Sequence, residues 1–141
     1  MIRAFAFQDT EAIVSIWRLA SQTSHPFLSG AYLDSLQNVI RKRFIDLAET
    51  WVWQDEDLPV GFVSVLQGEI AGLYVLPEHQ SRGIGRALLS HVLSSLGTVK
   101  LDVFARNRAG HAFYRKIGFF EIGRRFDDTS GHEVIRMCYA P

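Results

Sequence analysis

The sequence predicts one α/β (α+β) domain of about seven strands and four helices. Three observations carry this. Apolar residues recur at helical spacing in separated segments, and runs rich in β-branched and large apolar residues lie between them. Only Gln67-Gly68 divides the runs 60–66 and 69–76, the pattern of an antiparallel hairpin. The length of 141 residues fits a single domain over 1–141, and 48% hydrophobic residues can build its core unaided.

The elements follow in order. Residues 2–7 read as a first strand, and Asp9 as the N-cap of a helix with Ala12, Ile13, Ile16, Trp17 and Ala20 on one face. The polar stretch Ser21-Gln22-Thr23-Ser24 and Pro26 are expected to interrupt it. A second helix turns Leu33, Leu36, Ile40, Phe44 and Leu47 inward. Trp51–Trp53 reads as a strand, Asp55–Pro59 as a turn, and then comes the hairpin. After Pro77 a loop leads to a helix with Ile84, Ala87, Leu88, His91 and Val92 on one face, ended by Gly97. A strand over 99–104, a helix over 108–117 stopped by Gly118, and strands 119–126 and 133–139 complete the order β-α-α-β-β-β-α-β-α-β-β. No repeats or linkers interrupt it.

Composition narrows the function. Lys plus Arg number 15 and Asp plus Glu number 15, so no strong basic field invites nucleic acid or an anionic membrane. The N-terminus lacks the basic start and apolar run of a secretory signal, and no segment has the length of a membrane span. Cys138 is the only cysteine, which excludes an internal disulfide and a thiol metal cluster; the five histidines show no metal-ligand spacing. A reduced, cytoplasmic protein without a metal is expected.

Chemistry concentrates in Gln80-Ser81-Arg82-Gly83-Ile84-Gly85-Arg86-Ala87, just after a strand and at the opening of a helix. Helix-start amides have no helical partner and favour negative charge, and the glycines let a ligand approach the backbone. On their own, the glycines suit either a tight turn or an anion cradle. No Gly-x-x-x-x-Gly-Lys-Ser/Thr loop occurs. Leu88 stands where the third glycine of a dinucleotide fingerprint belongs, and the preceding strand sits in a hairpin, which disfavours a nucleotide-dependent oxidoreductase.

Gln80-x-x-Gly83-x-Gly85 resembles the Gln/Arg-x-x-Gly-x-Gly/Ala signature of the GNAT N-acetyltransferases. Glu69-Ile70-Ala71-Gly72-Leu73-Tyr74-Val75-x-Pro77 is similar to that family's fourth strand, and Asn107 with Ala112–Phe119 to its second conserved block. Thr23–Leu28 resembles bacterial members of the YjaB type. The element order also agrees, so the likeness covers nearly the whole chain. It implies a mixed, mostly antiparallel sheet that splays between its fourth and fifth strands. It also implies acetyl-CoA as cosubstrate, held by Gln80, Ser81, Arg82, Gly83, Ile84, Gly85, Arg86 and Ala87 at the pyrophosphate. Leu73, Tyr74 and Val75 would lie along the pantetheine, with Asn107 and Lys116 nearby, and an N–H near Val75 would serve the oxyanion.

The resemblance further implies direct acetyl transfer to a primary amine, in a small molecule or a peptide. Tyr114 is the expected general acid for the leaving thiolate, with simple ring packing as the alternative. Glu69 would act as base through water, sharing a face with Ala71, Leu73 and Val75, or be an exposed residue after a turn. His25, Phe27 and Tyr32 are candidate walls of the acceptor pocket, and His25 a second candidate base. Helical spacing turns Ala109, Ala112, Phe113 and Ile117 toward the core. The alternative function is a non-catalytic acyl-CoA-binding module or sensor. Members of the family occur as monomers and homodimers, and the acceptor is not legible.

Overall fold

A computed structural model describes residues 1–141. Seven strands form one sheet: β1 (Ile2–Ala4), β2 (Glu49–Asp55), β3 (Leu58–Leu66), β4 (Glu69–Val75), β5 (Val99–Phe104), β6 (Phe120–Asp127) and β7 (His132–Tyr139). Their order is β1-β2-β3-β4-β5-β7-β6. Every neighbouring pair is antiparallel except β4 and β5, which are parallel.

Helices flank the sheet on both faces because its strands alternate apolar residues between two cores. On one side α1 (Thr10–Ser24), α2 (Gly30–Val39) and the single turn α3 (Ile45–Leu47) bring Ile13, Ile16, Trp17, Leu33 and Ile45 against Val52 and Phe62. On the other, α4 (Ile84–Leu96) sets Ile84, Leu88, Leu89 and Val92 on Val63, Ile70, Leu101, Ile135 and Met137. The apolar face of α5 (Arg108–Ile117), with Phe113, Tyr114 and Ile117, packs at the margin of this second core.

Several local readings change under tertiary contacts. β1 ends at Ala4, because Phe7–Asp9 winds into a 3-10 turn. Asp9 is not a side-chain cap: its carboxylate accepts from both Arg3 Nη atoms at 2.8 and 2.9 Å and from the Ala6 amide at 2.8 Å. α1 continues through Ser21–Ser24, where Thr23 Oγ1 donates back to Leu19 O, and stops only at His25. The residue before Pro26 is barred from the helical region, so the break falls there.

Between α2 and α3 the chain makes a π-helical turn, Ile40–Phe44. A π-turn carries one extra residue and rotates everything after it. Ile45 therefore takes the buried place expected of Phe44, which is only half-buried, and Leu47 is turned outward and exposed. On α4, Leu89 holds the core while His91 lies at the rim, its ring edge-on to Trp51 at 4.4 Å. On α5, Ala109 and Ala112 are exposed. The lone Cys138 is buried in β7, and no helix is long and apolar enough to cross a membrane.

Candidate active site

β4 and β5 are registered only at Ile70 opposite Leu101, and beyond that pair they diverge. The parallel pair opens into a V whose arms run to Val75 and Phe104. The far edge of β4 therefore has no strand partner past Ile70. Across the closed end, Arg136 of β7 grips Glu69 through Nη1–Oε1 at 2.7 Å and Nη2–Oε2 at 2.6 Å. Its Nη1 also reaches Asp102 Oδ1 of β5 at 3.3 Å. The bidentate guanidinium holds the Glu69 carboxyl below the usual carboxylate range.

A bulge decides which way Glu69 points. Ser64 pairs with Gly72, but Val65 pairs with Ile70, so Ala71 is the extra residue. An extra residue exchanges the two faces of a strand. Glu69 thus lies on the face of Gly72 and Tyr74 and not, as simple alternation suggests, on that of Leu73 and Val75. It lines neither cavity of the V.

Those two cavities adjoin. One of about 140 Å³ lies in the V itself, between Ile70–Val75 and Leu101–Phe104. The other, about 380 Å³, runs from there to the start of α4. Ser24, Leu73, Val75, Gln80, Asn107 and Tyr114 line both. The second contains Ser81, Gly83, Ile84, Gly85 and Arg86. Gly83 is the N-cap of α4 at φ +82°, a left-handed conformation suited to glycine, and no side chain caps the helix. The first-turn amides of Ile84, Gly85 and Arg86 have no helical acceptor. Ala87 N is already spent on Gly83 O at 3.0 Å, so the cradle ends one residue earlier than its sequence suggests. Gln80 Nε2 donates to Val75 O at 3.0 Å, which ties the loop to the end of β4. Open amides, an empty space where a Cβ at Gly83 would go, and the Arg86 cation together fit a pyrophosphate with its attached arm.

Tyr114 stands where the cavities meet, its ring edge-on to Phe113 and Phe119. Burial raises its phenol well above the ordinary tyrosine range, so it is a protonated donor at neutral pH. Asn107 caps α5: its Oδ1 accepts from Gly110 N at 3.0 Å. A Cβ at residue 110 would lie 2.5 Å from Asn107 Nδ2, so glycine lets the amide fold back. With Oδ1 so engaged, Nδ2 donates to His25 Nε2 at 3.1 Å, which places the imidazole proton on Nδ1. Burial among Phe27 and Phe104 pushes the His25 pKa down to about 4. His25 is thus a neutral acceptor that orients Asn107.

Residues 46–121 match the family model described as acetyltransferase (GNAT) domain. The peptidyl-lysine N-acetyltransferase YjaB of Escherichia coli is 33% identical over 98% of this chain and 95% of its own.

The chain belongs to the GNAT acetyltransferase family.

A second relative, the peptidyl-lysine N-acetyltransferase YiaC of Escherichia coli, is 30% identical over 92% of this chain and 90% of its own. The solution structure of apo YjaB from Escherichia coli superposes with a TM-score of 0.88 at 30% identity, covering 99% of this chain and 96% of that one. The PaiA N-acetyltransferase of Thermoplasma acidophilum, in complex with coenzyme A, shares the fold at a TM-score of 0.77 and 22% identity, covering 100% and 98%. The protein is therefore an acyltransferase of a family whose donor is acetyl-CoA.

Not every expected GNAT residue reaches the cleft. Phe27 and Tyr32 line neither cavity. Phe27 instead buttresses His25 and Phe104 and has Arg106 over its ring at 5.0 Å. Lys116 is exposed, and Lys116, Arg82 and Ala87 line neither cavity. Conversely, Ser24, Asp102, Phe104 and Gly110 enter the lining without a local motif to announce them. Ser24 arrives only because α1 runs on through its polar end. No group of three or more His, Cys, Asp or Glu side chains gathers to hold a metal ion.

Proposed function

We propose that residues 1–141 form one catalytic domain that binds acetyl-CoA along the V and transfers its acetyl group directly to a primary amine. The observation that carries this is Tyr114, a protonated phenol at the junction of the pyrophosphate cradle and the V. When bound, acetyl-CoA supplies an activated acetyl thioester. The amides of Ile84–Arg86 hold the pyrophosphate, and the unpaired edge of β4 from Leu73 to Val75 hydrogen-bonds the arm. An N–H near Val75 stabilises the charge developing on the acyl oxygen. Tyr114 delivers its hydroxyl proton to the departing sulfur. Asn107, fixed by His25 and Gly110, orients the arm beside Tyr114.

Glu69 is engaged by Arg136 and faces away, and His25 is a weak base with Nε2 already accepting. The ammonium proton of the acceptor accordingly goes to solvent. Because YjaB and YiaC are named for peptidyl lysine, a lysine side chain in a peptide is the first acceptor class to try. A reduced cytoplasmic setting, as a monomer or homodimer, suits the free, buried Cys138 and the supply of acetyl-CoA.

Isothermal titration with acetyl-CoA tests the cradle, using wild type, Gly83→Ala and Gly83→Glu. Both variants carry the strain of a side chain at φ +82°, but only the second adds negative charge. The wild type and Gly83→Ala should bind, and a folded Gly83→Glu should not. Equal binding by all three would remove the pyrophosphate from α4. Binding without CoA release over a panel of peptide and small amines would make the protein a binder and not an enzyme.

A further inference from the structure

A third cavity, about 180 Å³, lies between the sheet and the α1–α3 layer. It has no part in the transfer described above. Ile13, Leu36, Val39, Ile40 and Phe44 form its walls, and no charged side chain lines it. Its two small hydroxyls, Thr50 Oγ1 and Ser64 Oγ, bond each other at 2.8 Å, and no carboxylate is there to receive an ammonium. It meets the V across Ala71, Gly72 and Tyr74 of β4, which line both spaces. The bulge makes Ala71 the extra residue there. At Gly72 a Cβ would come 3.2 Å from the Tyr74 ring, so glycine leaves room for that ring at the boundary of the two spaces.

A cavity of roughly 150 Å³ lined by aliphatic and aromatic groups stays dry and accepts benzene. We propose that this chamber holds the hydrocarbon tail of an acyl-CoA with an acyl group of about six carbons, so that the protein is an acyltransferase for medium-chain as well as acetyl donors. The inference rests on the acyl-CoA reading of the V. The tail is favoured over an acceptor side chain because the chamber borders β4, the strand that carries the thioester arm, and because the lining offers no charged partner to an ammonium. The reaction balance is unchanged. The amine nitrogen forms the C–N bond as the C–S bond breaks, Tyr114 protonates the sulfur, and the ammonium proton leaves to water.

Each buried methylene is worth roughly fourfold in affinity, so four more of them allow at least about tenfold after ordering costs. Titration of the full chain with acetyl-CoA and hexanoyl-CoA, with Leu36→Trp and Val39→Trp as chamber-filling variants, tests this. Val39 is half-exposed, which protects its variant from a folding failure. Hexanoyl-CoA should bind wild type at least about tenfold more tightly than acetyl-CoA, with the advantage lost in the variants while acetyl-CoA binding persists. Equal or weaker hexanoyl-CoA binding overturns the inference, as does an advantage that survives both variants. With acetyl-CoA as donor, a preference for hexylamine over ethylamine that the variants abolish would give the chamber to the acceptor and also overturn it. Failure of both thioesters to bind overturns the acyl-CoA reading itself, and this inference with it.

Discussion

Tyr114 does its proposed work through a single oxygen, and the expected cost of removing it follows. A positioned general acid contributes on the order of 100-fold or more, so Tyr114→Phe should lower kcat by about that factor. The acetyl-CoA dissociation constant should change by less than about threefold, since the ring remains. Titration calorimetry beside steady-state kinetics separates the two, and normal turnover with lost affinity would sink the role. His25 gives a pH signature. Its folded pKa of about 4 lies below the ordinary 6.5, so the unfolded chain binds more protons between those values. Stability therefore falls as pH drops from about 6.5 toward 4, by up to about 3 kcal/mol at about 1.36 kcal/mol per unit. Thermal unfolding at stepped pH should show this slope in wild type and a flatter one in His25→Gln.

The elements carry two further expectations. The π-turn predicts that Ile45→Ala costs about 2–4 kcal/mol, as a buried isoleucine does, whereas Leu47→Ala stays within about 0.5 kcal/mol. The reverse ranking in urea unfolding would mean an unbroken α-helix and no π-turn. The strap from Glu69 through Arg136 to Asp102 joins β4, β7 and β5 at the closed end of the V. Its partners are about a third exposed, so solvent screening limits each link to about 1 kcal/mol or less. Glu69→Gln should leave the shape of the pH–rate profile intact, and loss of its basic limb would restore Glu69 as the catalytic base.

At the scale of the whole molecule, the site lies where a sheet with two cores comes apart. Element order, the hairpin at Gln67-Gly68 and the glycine loop before α4 were legible because each is written in neighbouring residues: alternation, a turn, a motif. The open amides at the start of α4 were legible for the same reason, short only of the one that Ala87 spends on Gly83. The faces of residues beyond an irregularity were not. The Ala71 bulge turned Glu69 away, and the π-turn exchanged Phe44 for Ile45 and left Leu47 outside. A one-residue insertion changes no local pattern yet rotates all that follows it. Nor was it legible how Ser24 and His25, at the end of α1, would meet Phe104 and Asn107, after β5. Neighbouring residues were enough for the elements, the family and the open amides at the start of α4, since backbone propensity and helix-terminus chemistry act over a few residues. Only the tertiary structure decided which polar side chains face the V, which are held by ion pairs, and where an apolar chamber opens beside it, because burial and pairing arise between segments distant in the chain.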